Sequence, residues 1–284
     1  MTEVRFGLSS LDVAALPIYA DATGAFAAHG ITARIERDLG HPGEVIEMVA
    51  AGELDVGYAD IISSVRAVQR GAPVRLLAPG GLYDAAEPIV VLVRARASAL
   101  RTASDLAGRV VVTPAEHDLA RLGVRRWLDT AGGRSDAVRF ASGRKMAGAS
   151  ADLTAGTADA FIISEPQRTI QRAATAVLAT PFDAIAERFI MGAYVVSQAW
   201  LKREAAATHR VARILRATAR WANAHRGETG PILAERLGFD PAVIASMSRA
   251  TYAPAFRRSW LAPILRVAAE YGEIAPENRN RDER

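Results

Sequence analysis

Two stretches of this sequence, about a hundred residues apart, follow the same pattern. AAGELDVGYADIISS occupies residues 50–64, and TAGTADAFIISEPQ occupies residues 154–167. In both, a glycine follows small residues, an aspartate comes three positions later, and a short apolar run ends in a polar turn. A glycine after a helical segment and an apolar run before a turn predict a helix that passes directly into a strand. The sequence therefore predicts the same helix–strand junction twice.

The match extends backwards through both copies at a fixed offset of 104 residues. Short strand-like runs fall on each other at residues 5–8 and 109–112, and hydroxyl residues follow both. Thr113–Glu116 has the form of a capping box, with proline at the first helical position, and predicts a helix that ends at Gly132. The remaining predicted segments are a helix at 17–29, strands at 31–35 and 137–140, helices at 44–51 and 149–155, and strands at 54–58 and 158–163.

Each copy is therefore predicted to be a βαβαβ unit, and the fold class to be α/β with two lobes. Helices that alternate with short apolar strands indicate parallel sheets covered by helices. Small ligands bind beyond the carboxyl ends of such strands, so two facing lobes would form a ligand cleft. Asp55 and Asp159, at the starts of the third strands, are interpreted as turn or cap residues.

The composition is that of a folded globular chain without thiol chemistry. The 284 residues are 50% hydrophobic and include no cysteine, which excludes disulfides, thiolate metal sites and a cysteine nucleophile. No apolar run approaches the roughly 20 residues that a membrane span needs, so no membrane insertion is expected. The first strand begins at Val4 and leaves no room for a leader, so the chain is expected to be leaderless.

The charge pattern argues against nucleic-acid binding. The net charge is +4, and the 35 basic residues, all arginine except Lys145 and Lys202, are scattered among 31 acids. A nucleic-acid-binding protein would concentrate them on one face or helix. No metal-ligand spacing, P-loop or GxGxxG motif is present, so no metal and no cofactor are expected.

A series of segments in fixed order then resembles a known family, the substrate-binding proteins of ABC importers for nitrate, sulfonate, taurine and pyrimidine precursors. The segments are PIYA (17–20), TGAF (23–26), HGI (29–31), AAGELDVGY (50–58), GAPVRLLA (71–78), SDLAGRV (104–110), AG (155–156), DA (159–160), EP (165–166) and YVVSQAWL (194–201). They span nearly the whole chain. The resemblance implies a type II periplasmic-binding-protein fold whose lobes close on the ligand about a hinge.

The resemblance also implies how the chain divides. Two crossing strands, about 89–94 and 190–197, would join lobe one (1–90 and 195–284) to lobe two (91–194). Helices after residue 197 would cover lobe one, and Val211, Ile214, Leu215, Thr218 and Trp221 share a face of one of them. The last eight residues, ENRNRDER, are expected to be a solvated tail.

Strand-end positions supply the candidate ligand-binding residues. They are Ser9, Ser10, Asp12, His41, Asp60 and Tyr83 from lobe one, and Thr113, His117, Arg144 and Glu165 from lobe two, with Asp84, Lys145 and Ser164 beside them. Each has a structural alternative: Thr113 as a helix cap, Glu165 as a hinge salt bridge, and Arg144 as a solvated charge in place of a carboxylate clamp.

The acids in this set bear on the ligand. Asp12, Glu116 and Asp118 fall in predicted first helical turns, where they would oppose a nitrate or sulfonate. A neutral, zwitterionic or carboxylate-bearing organic molecule suits the cleft better.

Two functions remain open from the sequence. The first is a solute-binding protein that delivers its ligand to an ABC importer permease; it would be periplasmic if a leader had been removed. The second is a cytoplasmic enzyme on the same fold, such as a decarboxylase or lyase, with His41 or His117 paired to Asp60 or Glu165 as acid and base. The absence of cysteine excludes a desulfinase-like mechanism.

Overall fold

The computed structural model describes residues 1–39 and 41–276, so the predicted solvated tail lies outside the described residues. The strands are β1 (Thr2–Gly7), β2 (Ile31–Glu36), β3 (Val56–Asp60), β4 (Val74–Pro79), β5 (Gly81–Asp84), β6 (Val90–Ala95), β7 (Val110–Val112), β8 (Arg139–Ala141), β9 (Ala160–Ser164), β10 (Thr175–Ala179), β11 (Arg188–Ile190), β12 (Gly192–Ser197) and β13 (Thr251–Tyr252). The α-helices are α1 (Leu16–Ala22), α2 (Pro42–Ala51), α3 (Ile61–Gln69), α4 (Leu119–Thr130), α5 (Ala149–Ala155), α6 (Gln167–Ile170), α7 (Gln198–Arg203), α8 (Ala205–Ala224), α9 (Arg226–Leu237), α10 (Pro241–Ser246) and α11 (Arg258–Glu270).

The strands form two five-stranded sheets that share one plan. The first has the order β2-β1-β3-β12-β4 and the second the order β10-β6-β9-β7-β8. In each, three strands of one repeat run parallel, and an antiparallel strand from elsewhere in the chain, β12 or β6, pairs with the third. A small third sheet, β11-β5-β13, lies where the chain passes between the two. The predicted α/β class with a duplicated unit is confirmed.

The two copies superpose with a register shift that the fixed offset missed. Gly7 pairs with Glu36 in the first sheet and Val112 with Ala141 in the second, which is an offset of 105 for both strands. The third strands and the helix-ending glycines keep the offset of 104. The segment from the end of the second strand to the helix-ending glycine is therefore one residue longer in the first copy.

The first predicted helix is shorter than its apolar pattern suggested. Helix α1 ends at Ala22, where the Thr23 hydroxyl donates to the Tyr19 carbonyl at 2.8 Å. Gly24 then takes a left-handed conformation (φ 72°), and a separate single 3₁₀ turn covers residues 27–29. A side chain that bonds to a carbonyl one turn back competes with continued helical pairing.

The predicted capping box at Thr113 is wrong. Residues 113–118 form a loop, and α4 begins at Leu119 with Asp118 as its cap, whose Oδ1 accepts from the Arg121 N–H at 2.7 Å. The Thr113 hydroxyl instead donates to the Ala115 carbonyl at 3.1 Å. Asp118 displaces the threonine because its carboxylate reaches free N–H groups on both sides, in the loop and in the helix.

Asp55 and Asp159 hold neighbouring strands together and are not turn or cap residues. Asp55 accepts from the backbone and guanidinium N–H groups of Arg5 at 2.9 to 3.2 Å. Asp159 accepts from the Val110 N–H at 2.8 Å. In both repeats the aspartate before the third strand thus satisfies a backbone donor of the first strand.

Helices α7, α8 and α9 pack against the first sheet and α1, whereas α10 contacts α9 and α6, and α11 contacts β11. The predicted face of α8 is buried at Val211, Ile214, Leu215 and Thr218. Trp221 is half-buried and stacks on His225 at 5.3 Å between ring centroids. Among residues 1–39 and 41–276, no helix combines the length and apolarity that crossing a membrane requires.

Candidate functional site

A cavity of about 660 Å³ lies between the two large sheets, at the carboxyl ends of their parallel strands. Segments that follow β1 and β2 and the end of β3 form one wall, and segments that follow β7, β8 and β9 form the other. Most of the lining is apolar, including Leu11, Val45, Ile162, Phe182 and Phe239. A pocket of this size and character suits a small organic molecule.

Most of the sequence-predicted residues line this cavity, and some lie elsewhere. The lining includes Ser9, Ser10, Asp12, His41, Asp60, Arg144 and Glu165, together with Lys145 and Ser164. Tyr83, Thr113, His117 and Asp84 are not part of it.

The side chains of Tyr83 and Thr113 are fully buried in structural contacts. The Tyr83 hydroxyl donates to Asp183 Oδ1 at 2.6 Å, and its ring packs on Phe182 and Phe189. The Thr113 hydroxyl accepts from Arg121 Nε at 3.0 Å and donates to the loop carbonyl described above. Neither hydroxyl is free to face a ligand.

His117 and Asp84 form ion pairs away from the cavity. His117 Nδ1 lies 2.9 Å from Glu273 Oε2, and half of the histidine side chain is exposed. Asp84 pairs with Arg188 at 2.6 Å, and this partner lowers the pKa of the carboxyl. His117 therefore has no contact with Asp60 or Glu165, the acids that the enzyme hypothesis assigned to it.

Asp12 lines the cavity, but its carboxylate is saturated by structural partners. Oδ1 accepts from the hydroxyls of Tyr19 and Tyr252, both at 2.9 Å, and Oδ2 accepts from Arg249 Nε at 2.8 Å and the Ala250 N–H at 2.9 Å. Burial raises the pKa of both tyrosines, which remain donors. Asp12 therefore ties β13 and the loop before it to the segment after β1.

His41 caps α2. Its Nδ1 accepts from the Glu44 N–H at 3.3 Å, which fixes the ring against the first helical turn while the rest of the side chain is exposed. Ser10 donates to the exposed carboxylate of Asp38 at the same rim of the cavity.

Asp60 is the cap of α3 and also reaches the other wall. Its Oδ1 accepts from the Ile62 and Ser63 N–H groups at 3.0 Å and from the Leu119 N–H at 3.2 Å. One carboxylate oxygen thus bonds the first turns of α3 and α4, which belong to opposite walls. Oδ2 is sealed from solvent and has no hydrogen-bond partner among the described residues. Burial raises the pKa of this carboxyl.

Asp118, beside Asp60, is a lining residue that the sequence analysis left out of the site. Its two oxygens accept from the Arg121 N–H at 2.7 Å and the Ala115 N–H at 3.0 Å. Burial and the charge of Asp60 raise the pKa of Asp118 to about 7. An aspartate directly before the helical run at Leu119 was the available signal, but the capping-box pattern at Thr113 concealed it.

Glu165 is a buried acid on the wall formed by the second repeat. Only 4% of the residue is exposed, and Oε2 accepts from the Thr169 N–H at 3.1 Å. The nearest cation to Oε1, Arg168 Nε, is 3.9 Å away. Burial raises the pKa of Glu165.

The basic residues of the lining are engaged or exposed. Arg144 lies 3.2 Å from Asp152 Oδ1 and donates to Thr157 Oγ1 at 3.1 Å. Lys145 is exposed. Among the described parts of the chain, no cluster of three His, Asp or Glu side chains has a spacing that would hold a metal ion.

A family model described as NMT1/THI5 like matches residues 13–228, about three-quarters of the chain. A search of curated proteins gave no significant match. The matched range contains the second repeat and all of the first repeat after β1, together with Asp38, Asp60, Asp118 and Glu165 of the lining.

Solved structures share the fold over nearly the whole chain. A ligand-binding component of an ABC-type import system from Staphylococcus aureus, with zinc bound, aligns with a TM-score of 0.83 at 11% identity, over 97% of this chain and 94% of that one. The alkanesulfonate-binding protein SsuA from Xanthomonas axonopodis pv. citri, bound to MOPS, aligns at 0.76 and 18%, over 96% and 93%. The predicted periplasmic-binding-protein fold is confirmed.

An enzyme is also among these structures. The desulfurization enzyme DszB aligns with a TM-score of 0.68 at 14% identity, over 98% of this chain and 97% of that one. At such identities the likeness shows the fold, and function has to be argued from the site.

Proposed function

Because this chain belongs to the NMT1/THI5-like family and has the periplasmic-binding-protein fold, we propose that it is a solute-binding protein. It binds one small organic molecule in the cavity between the two large sheets. The observation that carries this proposal is the cavity itself, about 660 Å³ of mostly apolar space walled by both repeats. An inorganic anion such as nitrate would fill little of that volume and would leave the apolar walls unused.

We assign the two sheets to two lobes that close on the solute. Strand β6 carries the chain into the second sheet and β12 carries it back into the first. The sequence predicts that the chain returns from lobe two to lobe one at residue 195. We place this return at about residue 191, because β12 pairs with β3 and β4 from Ala193 to Val196. Lobe one then comprises residues 1–89 and 192 onward, and lobe two residues 90–190. The small sheet of β5, β11 and β13 lies at both crossings, where a hinge would bend.

The site supports binding better than acid–base catalysis. His117 pairs with Glu273 outside the cavity, and Nδ1 of His41 accepts the hydrogen bond that caps α2. Neither histidine contacts a lining carboxylate, as a general base oriented by an acid would. A thiol mechanism has no candidate residue, because the chain contains no cysteine.

An importer role also implies a partner and a location. Known solute-binding proteins of this fold serve ABC import systems, such as the Staphylococcus aureus component above. We propose that this protein delivers its solute to an ABC permease from outside the cytoplasmic membrane. Cell fractionation checks this directly, since recovery only with cytoplasmic proteins would contradict it.

A thermal-shift screen of small organic molecules tests the binding function. A ligand at about 100 times its Kd adds about 2.7 kcal/mol to stability, a readily measured shift. Ala147 lines the cavity and is exposed, so Ala147→Trp should fill the space, abolish the shift and leave folding intact. Ala206→Trp, an exposed site on α8 outside the cavity, is the matched control. An equal ligand shift in the Ala147→Trp variant would remove the cavity as the binding site.

A further inference from the structure

The lining of the cavity carries an excess of negative charge. Five of its residues are acids: Asp12, Asp38, Asp60, Asp118 and Glu165. The guanidinium of Arg249 neutralises Asp12, and solvent surrounds the exposed Asp38. The remaining acids, Asp60, Asp118 and Glu165, are the ones that face the cavity without full compensation.

The lining cations do not offset these three acids. Arg144 is held by Asp152 at 3.2 Å, and Lys145 extends into solvent. Asp60 and Asp118 accept only backbone N–H groups and form no ion pair with any described residue. Glu165 has one cation at 3.9 Å, and that residue, Arg168, donates to the Pro88 carbonyl at 2.7 Å.

One carboxylate oxygen in this lining lacks a hydrogen-bond donor. Asp60 Oδ2 is sealed from solvent and has no partner among the described residues, and Glu165 has no cation closer to Oε1 than Arg168 Nε at 3.9 Å. Buried polar atoms are rarely left unpaired, because each unmade hydrogen bond is costly. Donors are therefore missing from this part of the cavity.

We propose that the solute carries a protonated nitrogen on an apolar body, and that Asp60, Asp118 and Glu165 bind this nitrogen. The inference rests on the proposed solute-binding function of the same cavity. An ammonium supplies both the missing donors and the missing positive charge, and the apolar walls hold the rest of the molecule. The same three acids repel a sulfonate or a carboxylate, so the class of solute is an organic amine.

Matched probes on one skeleton test the charge requirement at pH 8. Phenethylamine, 2-phenylethanol, 3-phenylpropionate and 2-phenylethanesulfonate form one set, and tryptamine, tryptophol and indole-3-propionate form a second. Thermal shift and calorimetry on the full chain should show the amine binding about tenfold or more tighter than the alcohol, and the anions weaker still. A carboxylate or sulfonate that binds as tightly as its amine would overturn the inference while leaving the binding function in place. Binding by no member of either set would count against the proposed function itself.

Conservative variants test the three acids. Glu165→Gln keeps an oxygen for the Thr169 N–H, and Asp60→Asn keeps the oxygen that caps both helices. Each should weaken amine binding about tenfold or more with little change in the alcohol, while the unliganded protein stays folded. Glu47→Gln removes the same charge from an exposed position of α2 outside the lining and should change amine affinity less than about twofold. Unchanged amine affinity in both Glu165→Gln and Asp60→Asn would overturn the assignment.

Discussion

Asp60 and Asp118 are two caps of facing helices whose charges oppose each other. Asp60 could be predicted from the sequence as a site residue, because it lies at the end of an apolar strand of the repeat. Asp118 did not, because a threonine followed by a glutamate three residues later satisfies the capping rule without forming the cap. Only the folded chain shows which of the two groups reaches the N–H groups of α4.

This pair makes stability depend on pH. In the folded protein the pKa of Asp118 is about 7, against an ordinary value of 3.8, so the folded state keeps a proton that the unfolded chain has released between those values. Unfolding free energy from this source is therefore largest below about pH 4, falls as the pH rises to about 7, and stays low above it.

The variant Asp60→Asn should reduce that pH dependence. Its amide nitrogen replaces the unpartnered Oδ2 and removes the neighbouring charge, which lowers the pKa of Asp118, while the effect of burial remains. At pH 8 the variant should be more stable by on the order of 2 kcal/mol, which exceeds the roughly 0.5 kcal/mol lost from the helix dipole. At pH 4 the two proteins should differ little. Urea denaturation at both pH values measures this, with Asp38→Asn as the control; equal stability at pH 8 would contradict the account.

Asp12 is predicted to contribute to folding in spite of its place in the cavity wall. In Asp12→Ala the Arg249 guanidinium and two tyrosine hydroxyls lose their buried acceptor, which should cost about 3–5 kcal/mol. Asp21→Ala is the control, because it breaks a more exposed ion pair with Arg236 at 3.3 Å and should cost under about 1 kcal/mol. Similar losses in the two variants would show that the buried network is weak.

At the scale of elements, the duplicated unit was predictable and its register was not. Helix-ending glycines and the aspartates three residues later mark the same junction in both copies. A single extra residue between the second strand and the helix-ending glycine shifts the first two strands by one position, and such short apolar runs tolerate either alignment. Only the strand pairing reveals the shift.

The two copies offer a matched comparison of one contact. Asp55 binds the Arg5 guanidinium at 2.9 Å with 6% of its side chain exposed, whereas Asp159 lies 3.5 Å from the Arg109 guanidinium with 28% exposed. We expect Asp55→Ala to lower the free energy of unfolding by about 2–3 kcal/mol and Asp159→Ala by about 1 kcal/mol. The loss is larger for Asp55→Ala because it leaves the backbone and guanidinium N–H groups of Arg5 without their buried acceptor. Chemical denaturation of both variants measures the difference. A larger loss for Asp159→Ala would contradict this ranking.

At the scale of the whole molecule, a buried contact between the proposed lobes could not be predicted from the sequence. Buried Glu273 binds Arg66 of α3 at 3.3 Å, Arg125 of α4 at 3.0 Å and His117 at 2.9 Å. These partners are more than a hundred positions away in the chain, and no local pattern links them. The family resemblance supplied the lobes but not the side chains that join them.

Glu273→Gln should loosen this junction. Loss of the charge leaves the cations of the two lobes facing each other with a weaker acceptor. Small-angle scattering of the unliganded variant should give a larger radius of gyration, and ligand affinity should fall several-fold, since closure then costs more. Glu270→Gln, which breaks the more exposed pair with Arg126 at 3.1 Å, should change neither quantity. An unchanged radius in both variants would show that Glu273 does not hold the lobes together.

Hydrogen exchange with and without a bound solute tests most directly whether one ligand contacts both lobes. The account predicts slower amide exchange on binding in two separate segments at once, residues 58–66 after β3 and residues 160–170 around Glu165, because each contributes to one wall of the cavity. Protection confined to one of these segments, or to neither, would contradict a binding site between the lobes.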